Sequence, residues 1–284
     1  ALTGAALAAG VSPANAQAGF TFDRLAGADR YGTAAAIALN GTTFDNSDTV
    51  VLASGATRNF PDALTGNYLA GEIDGPILLT DPNRLPAVTA RAIGSLNVKK
   101  VVIIGGTSAV SAGVERQVNQ LSDVTVQRIG GTDRYDTAEL VAANVATGGQ
   151  RAGGAVSATA TVGVGIDPQG RRTAVLGNGQ DFPDILAAGP LGYAEAFPIT
   201  ITRPTALPAQ TRRTLVATGV KRVVIVGGTT AVSASVATEV SALNGGIEIV
   251  RLAGVLRFET ATKIADFAYD QLGFDQSQIN LARS

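Results

Sequence analysis

The 284-residue chain contains no histidine and no cysteine. Without them there is no Ser-His-Asp or Cys-His triad, no zinc site built from Cys and His, and no redox disulfide. Charge is sparse as well: 16% of residues are Asp, Glu, Lys or Arg and the net charge is −1. Nucleic acid is therefore a poor partner, since its binding rests on clustered Lys and Arg neutralising phosphates. Long apolar runs are also missing. The N-terminal apolar stretch breaks at Ser12-Pro13, after about half of the roughly 20 residues that a membrane span requires. A carboxylate pair or a lysine base is what remains for catalysis, and no recurring motif sets one up. Neither a metal nor a cofactor is indicated.

What the chain has is repetition, which has to be recognised before any fold is assigned. Arg24 opens R-L-A-G-A-D-R-Y-G-T-A, Arg128 opens R-I-G-G-T-D-R-Y-D-T-A, and Arg251 opens R-L-A-G-V-L-R-F-E-T-A. Phe60-Pro61-Asp62-Ala63-Leu64 returns as Phe182-Pro183-Asp184-Ile185-Leu186, and V-V-I-I-G-G-T-S-A-V-S from Val101 returns as V-V-I-V-G-G-T-T-A-V-S from Val223. The last two words are 41 residues apart in both copies (101 − 60 and 223 − 182). The interval before them is 36 in the first copy (60 − 24) and 54 in the second (182 − 128), so the Gly/Ala/Thr-rich segment from Gly148 to Arg172 is an insertion.

The organisation that follows is a first repeat over 19–127, a second over 128–250 with its insertion near 148–172, and a partial third over 251–284. Ala1 to Ala18 is small and apolar and ends in two A-x-A sequences, Ala14-Asn15-Ala16 and Ala16-Gln17-Ala18. It reads as a signal-peptide remnant, which implies secretion, with a flexible or docking N-terminal arm as the alternative. The third repeat stops at Ile279 to Ser284, where a second strand would lie. A fragment of a longer protein is the favoured reading, and docking of the last piece onto an earlier unit is the alternative.

Thr49–Ser54, Gly75–Thr80 and Lys100–Ile104 read as short buried strands. Thr33–Leu39, Asp62–Ala70, Pro86–Leu96 and Ser111–Leu121 read as helices between them. That alternation predicts an α/β fold of tandem repeats, each a small parallel sheet flanked by helices. The arginine word is expected to end a strand, Phe20–Leu25 in the first copy, and to open a helix. Asn59 and Asp181 are expected as N-caps of the F-P-D helices. The G-G-T words lack G-x-G-x-x-G and a Walker lysine, so a tight strand-helix turn is preferred over an anion-binding loop.

Together the words R-[LI]-x-G-x-D-R-Y-x-T-A, F-P-D-x-L, P-I-L-L-T and V-V-I-[IV]-G-G-T-x-A-V-S resemble the type 2 cell-wall-binding repeat of Gram-positive surface proteins. The resemblance runs from about Phe20 to Ser284. It implies three α/β units packed about a pseudo-threefold axis, non-catalytic, holding an exported protein to an anionic cell-wall glycopolymer. Carried onto this sequence, the polymer-binding parts it implies are Ile77, Leu78 and Leu79 with Arg24, Arg30, Arg128, Arg134, Arg251 and Arg257.

Two departures stand out. The second copy has Pro198-Ile199-Thr200-Ile201-Thr202 in place of P-I-L-L-T, and the third has Leu256 and Phe258 in place of the Asp and Tyr of D-R-Y. Arg257 persists beside Leu256, so the second arginine is expected to have a partner other than its neighbouring Asp. It is read either as a structural tie or as a contact to an anion. A self-assembling surface-layer or filament subunit, binding copies of itself, is the competing reading. An enzyme acting through the G-G-T turns is a third, and no general base supports it.

Overall fold

The computed structural model describes residues 23–41, 44, 47–146 and 164–275. The signal-peptide reading, most of the insertion and the strand expected at Ile279–Ser284 lie outside the described residues.

The first unit runs α1 (Arg30–Ala38), β1 (Thr49–Ser54), α2 (Phe60–Glu72), β2 (Ile77–Thr80), α3 (Ala87–Ser95), β3 (Lys100–Ile104), α4 (Ala112–Asn119) and β4 (Thr125–Ile129). The second runs α5 (Arg134–Ala146), β5 (Thr173–Asn178), α6 (Pro183–Leu186), α7 (Gly189–Ala194), β6 (Ile199–Thr202), α8 (Ala209–Ala217), β7 (Arg222–Val226), α9 (Ala234–Ser241) and β8 (Glu248–Leu252). α10 (Arg257–Leu272) follows. Each unit forms a four-stranded parallel sheet, ordered β2-β1-β3-β4 and β6-β5-β7-β8.

The strand composition accounts for this. β1, β5 and β7 are buried along their whole length, because crossover helices cover both faces of a parallel sheet and leave no solvated side to alternate toward. In the first unit one face packs Val50, Leu52, Leu78, Val101 and Ile103 against Ile93, Val114 and Val118 of α3 and α4. The other face packs Val51, Val102 and Ile104 against Tyr68 and Leu69 of α2.

The strands and helices expected in the first unit form, with β2 starting two residues late, and three further details of the two units differ. Asp23 to Leu25 carry no strand, whereas the same word in the later copies is strand β4 or β8. Those two strands each have a preceding sheet to join, β4 pairing with β3 and β8 with β7; among the described residues no sheet precedes the first copy. Asn59 occupies the N-cap position of α2 but does not cap it; its Nδ2 turns to Ser54 Oγ and to the Ala109 carbonyl. Asp181 likewise is not the N-cap of α6, a position held by Phe182. The continuous α2 is broken into α6 and α7 in the second unit, where Pro190 supplies no N–H to continue the ladder.

The units are joined by shared packing. α5 places Val141 and Ala142 in the core beneath α2 and Tyr135 and Ala138 in the core of the second sheet. Leu64 of α2 also enters that second core. Where α2 meets α7, a Cβ on Gly71 would lie 2.0 Å from the carbonyl oxygen of Tyr193. Gly71→Val should therefore force the units apart. A destabilisation of about 1–3 kcal/mol is expected from such overpacking, and calorimetry should show two separate transitions where the native protein gives one.

Candidate polymer-binding surface

In open α/β sheets ligands lie beyond the carboxyl ends of the strands, where strand order reverses. Here that point lies between β1 and β3, and between β5 and β7. The chain fills it with its own side chains. Asn59 spans from Ser54 to Ala109, and the buried Asp62 presses its Oδ2 onto the turn at Gly105. Asp184 does the same at Gly227. Gly105 and Gly227 have φ of 110° and 103°, which a non-glycine residue rarely adopts. The G-G-T words thus serve as tight strand-helix turns.

Nearly every letter of the arginine word has a structural task. Its glycine, Gly131 in the second copy, abuts the following helix, since a Cβ there would sit 2.5 Å from that of Asp136. The aspartates are helix caps: Asp29 accepts from Gly32 N–H and Asp133 from Asp136 N–H. The threonine staples the turn, with Thr33, Thr137 and Thr260 Oγ1 accepting from Gly27, Gly131 and Gly254 N–H. In the third copy Leu256 cannot cap, and Glu259 Oε2 accepts from the Val255 and Leu256 N–H groups instead. The loss of the Asp beside Arg257 is thereby a change of helix cap rather than the loss of an arginine's partner.

The two arginines of the second word point to different units, and Arg30 and Arg251 each repeat one of its bonds. Arg128 Nη1 donates to the Gly105 carbonyl at the end of β3 (2.7 Å), and Arg251 Nη1 to the Gly227 carbonyl at the end of β7 (2.8 Å). Arg30 and Arg134 instead donate forward, to the carbonyls of Gly55 and Gly179 beyond β1 and β5. The word is a junction that ties the sheet before it to the sheet after it. Arg24 and Arg257 are exposed and have no hydrogen bond or ion pair among the described residues. Arg128 also pairs with Glu115 through Nη2 (2.8 Å) and Nε (3.1 Å). Arg251 has no such carboxylate among the described residues, and burial pulls its pKa below the usual guanidinium value.

The I-L-L word is divided by the pleat of β2. Leu78 is fully buried, so it cannot touch a polymer. Ile77 and Leu79 face the other way and are half-buried. Their counterparts Ile199 and Ile201 lie in the core shared with Leu64 of α2. A second feature absent from the sequence reading is Arg203, whose guanidinium lies 4.9 Å from the centre of the Tyr135 ring, a cation-π distance. Nothing in the repeat pattern marks it, because the aligned position in the first copy is Asp81.

No group of three or more His, Cys, Asp or Glu suited to a metal occurs among the described residues. No helix among them is long and apolar enough to cross a membrane.

Residues 24–115 and 128–237 match the model of cell wall binding domain 2. The chain is 29% identical over 241 residues to N-acetylmuramoyl-L-alanine amidase LytC of Bacillus subtilis, covering 85% of this chain and 42% of that protein. It is also 29% identical over 242 residues to the amidase enhancer of the same organism, covering 85% of this chain and 29% of that one. The chain thus spans well under half the length of these curated relatives. Among solved structures, Cwp6 from Clostridium difficile superposes with a TM-score of 0.70 at 24% identity, covering 90% of this chain and 38% of that one. Cwp8 from Clostridium difficile gives 0.66 at 25% identity, over 84% and 36%.

Proposed function

Since this chain belongs to the cell wall binding domain 2 family, we propose that it anchors an exported protein to the bacterial wall by non-covalent, non-catalytic binding of an anionic glycopolymer. The observation that carries this reading is the family match over two successive units of one chain; beside it, Arg251 at the carboxyl end of its sheet is held by one backbone bond alone among the described residues. Phosphates and carboxylates are recognised by such guanidinium groups through charge-assisted hydrogen bonds. A single exposed contact is weak, but sites repeated on one rigid body gain about 10²–10⁴ in avidity on a repeating polymer. In this reading the units surround a pseudo-threefold axis. Support comes from Phe60 and Phe182, the same position in two units, whose ring centres lie 5.1 Å apart.

Binding should weaken as salt is raised, because ionic contacts at the surface are screened. Purified protein sedimented with walls before and after acid extraction of their polymers tests the reading. Loss of binding to stripped walls is expected, and undiminished binding would refute it.

The competing reading is assembly with copies of itself. Phe258, 59% exposed, holds the position at which Tyr135 is buried in the core of the unit that follows it, so its exposure does not favour either reading. Electron microscopy of protein free of wall material separates the two, since ordered arrays would favour assembly.

A further inference from the structure

Arg128 and Arg251 occupy the same position in two units and make the same bond to the same turn. Arg128 lies opposite Ile103 on its sheet and Arg251 opposite Ile225. The helices that face them also correspond. Ser111 caps α4 by accepting from Val114 N–H, and Ser233 caps α9 by accepting from Val236 N–H. Counted from these caps, Glu115 of the first unit corresponds to Ala237 of the second.

That one difference changes what each guanidinium can do. In the first unit both Nε and Nη2 of Arg128 are occupied by Glu115, and the side chain is 16% exposed. In the second unit Nη1 of Arg251 is held by Gly227 and nothing else among the described residues pairs with the guanidinium. The other acids nearby are committed elsewhere. Glu239 of α9 pairs with Arg212, and Glu248 at the far end of β8 pairs with Arg171. Glu259, which follows Arg251 in its word, is bound to backbone N–H groups, as is its counterpart Asp136 in the word of Arg128, so these two do not distinguish the arginines. Lys263 adds a second positive charge at the end of β8 by donating to the Ala253 carbonyl. Arg251 is half-buried and so still reachable from solvent.

A partly desolvated guanidinium oriented by one backbone bond, with its remaining donors free, is arranged for a bidentate oxyanion. We propose that Arg251 is an anion-contact residue for a phosphate or carboxylate group of the wall polymer, and that Glu115 takes the ligand's place as an internal counter-ion in the first unit. The two arginines, alike in sequence, then differ in role: Arg128 is structural and Arg251 binds. The proposal rests on the wall-binding reading for the identity of the polymer, while the anion site itself can be examined without it.

A reciprocal exchange tests it. Ala237→Glu should supply the missing carboxylate, raise thermal stability and weaken sedimentation with walls about tenfold or more. Glu115→Gln should free Arg128 and leave wall binding undiminished or increased. A more stable variant that binds less excludes misfolding as the cause. Unchanged wall binding by Ala237→Glu, alongside binding by the native protein, overturns the proposal. Independently of walls, inorganic phosphate titrated into the native protein should shift the arginine side-chain NMR signal of Arg251 and not that of Arg128. That response should vanish in Ala237→Glu. Equal responses from both arginines, or none, would overturn the site. A response at Arg251 in a protein that fails to bind walls would instead retain the site and sink the wall-binding reading.

Discussion

Asp167→Ala should destabilise the protein by about 3–5 kcal/mol, the usual consequence of stripping a buried charge of its partner. For a chain of this size that corresponds to a fall in melting temperature of roughly 10 °C. The Asp167 side chain is fully buried and accepts from Arg222 Nη1 at 3.1 Å, from Arg171 Nε at 3.0 Å and from the Gln169 and Arg171 N–H groups. Arg222 is itself only 6% exposed and lies under the ring of Phe267. Its Nε has no hydrogen bond and lies 3.6 Å from Glu248. Removing Asp167 would therefore leave a buried guanidinium without its main counter-charge. Burial pushes the Asp167 carboxyl up, but the Arg171 N–H and the Arg222 and Arg171 guanidinium groups outweigh it and hold the pKa below the ordinary value. The stability that this lowered pKa contributes is present above the unfolded carboxylate value and lost as pH falls through the folded one. Asp167→Asn should lose that acid-side slope in denaturant titrations at successive pH values.

Asp62→Asn should act in the opposite sense. Burial raises the Asp62 carboxyl from 3.8 to about 6, and Arg134 only partly offsets it. A raised pKa means that this stability is complete below the unfolded value and is lost as pH climbs through about 6. The difference of about two units, at 1.36 kcal/mol each, sets the neutral-pH penalty near 3 kcal/mol. Asp62→Asn should thus gain up to that amount at pH 7 and show no loss between pH 4 and 7 from this group. A variant less stable than native at pH 7, measured by urea denaturation, would refute the argument. The two carboxylates together place their joint optimum near pH 4, at the ordinary carboxylate pKa.

Much of the architecture was legible because parallel strands buried on both faces read as unbroken Val/Ile/Leu runs. β1 and β3 fall at the residues expected, and β2 starts two residues later than its apolar run. The repeat words also located the turns. Side-chain partners were less legible. The arginines were seen as a pair, yet Arg128 and Arg134 serve carbonyls on two different sheets, and a carbonyl has no letter in the sequence. Asn59 looked like a cap by position, and only folding reveals Ser54 and Ala109 beside it. The Asp167–Arg222 pair leaves no mark in the sequence, because its partners are 55 residues apart and Asp167 lies in a stretch with no counterpart in the first copy. The contrast between Glu115 and Ala237 was present in the sequence as an aligned difference. It had no meaning until Arg128 and Arg251 were seen to face those positions.

The arginine word completes the sheet behind it with β4 or β8, and in the second copy it opens the unit ahead with α5, so the sequence repeat runs out of phase with the sheets. For the gene, this means that an unequal exchange copying one word-to-word interval would insert a strand for the existing sheet and a helix for the new one at every seam. An array built in this way can lengthen or shorten without exposing a raw edge at its internal joints. A duplication cut at the sheet boundary would have to create such a junction afresh.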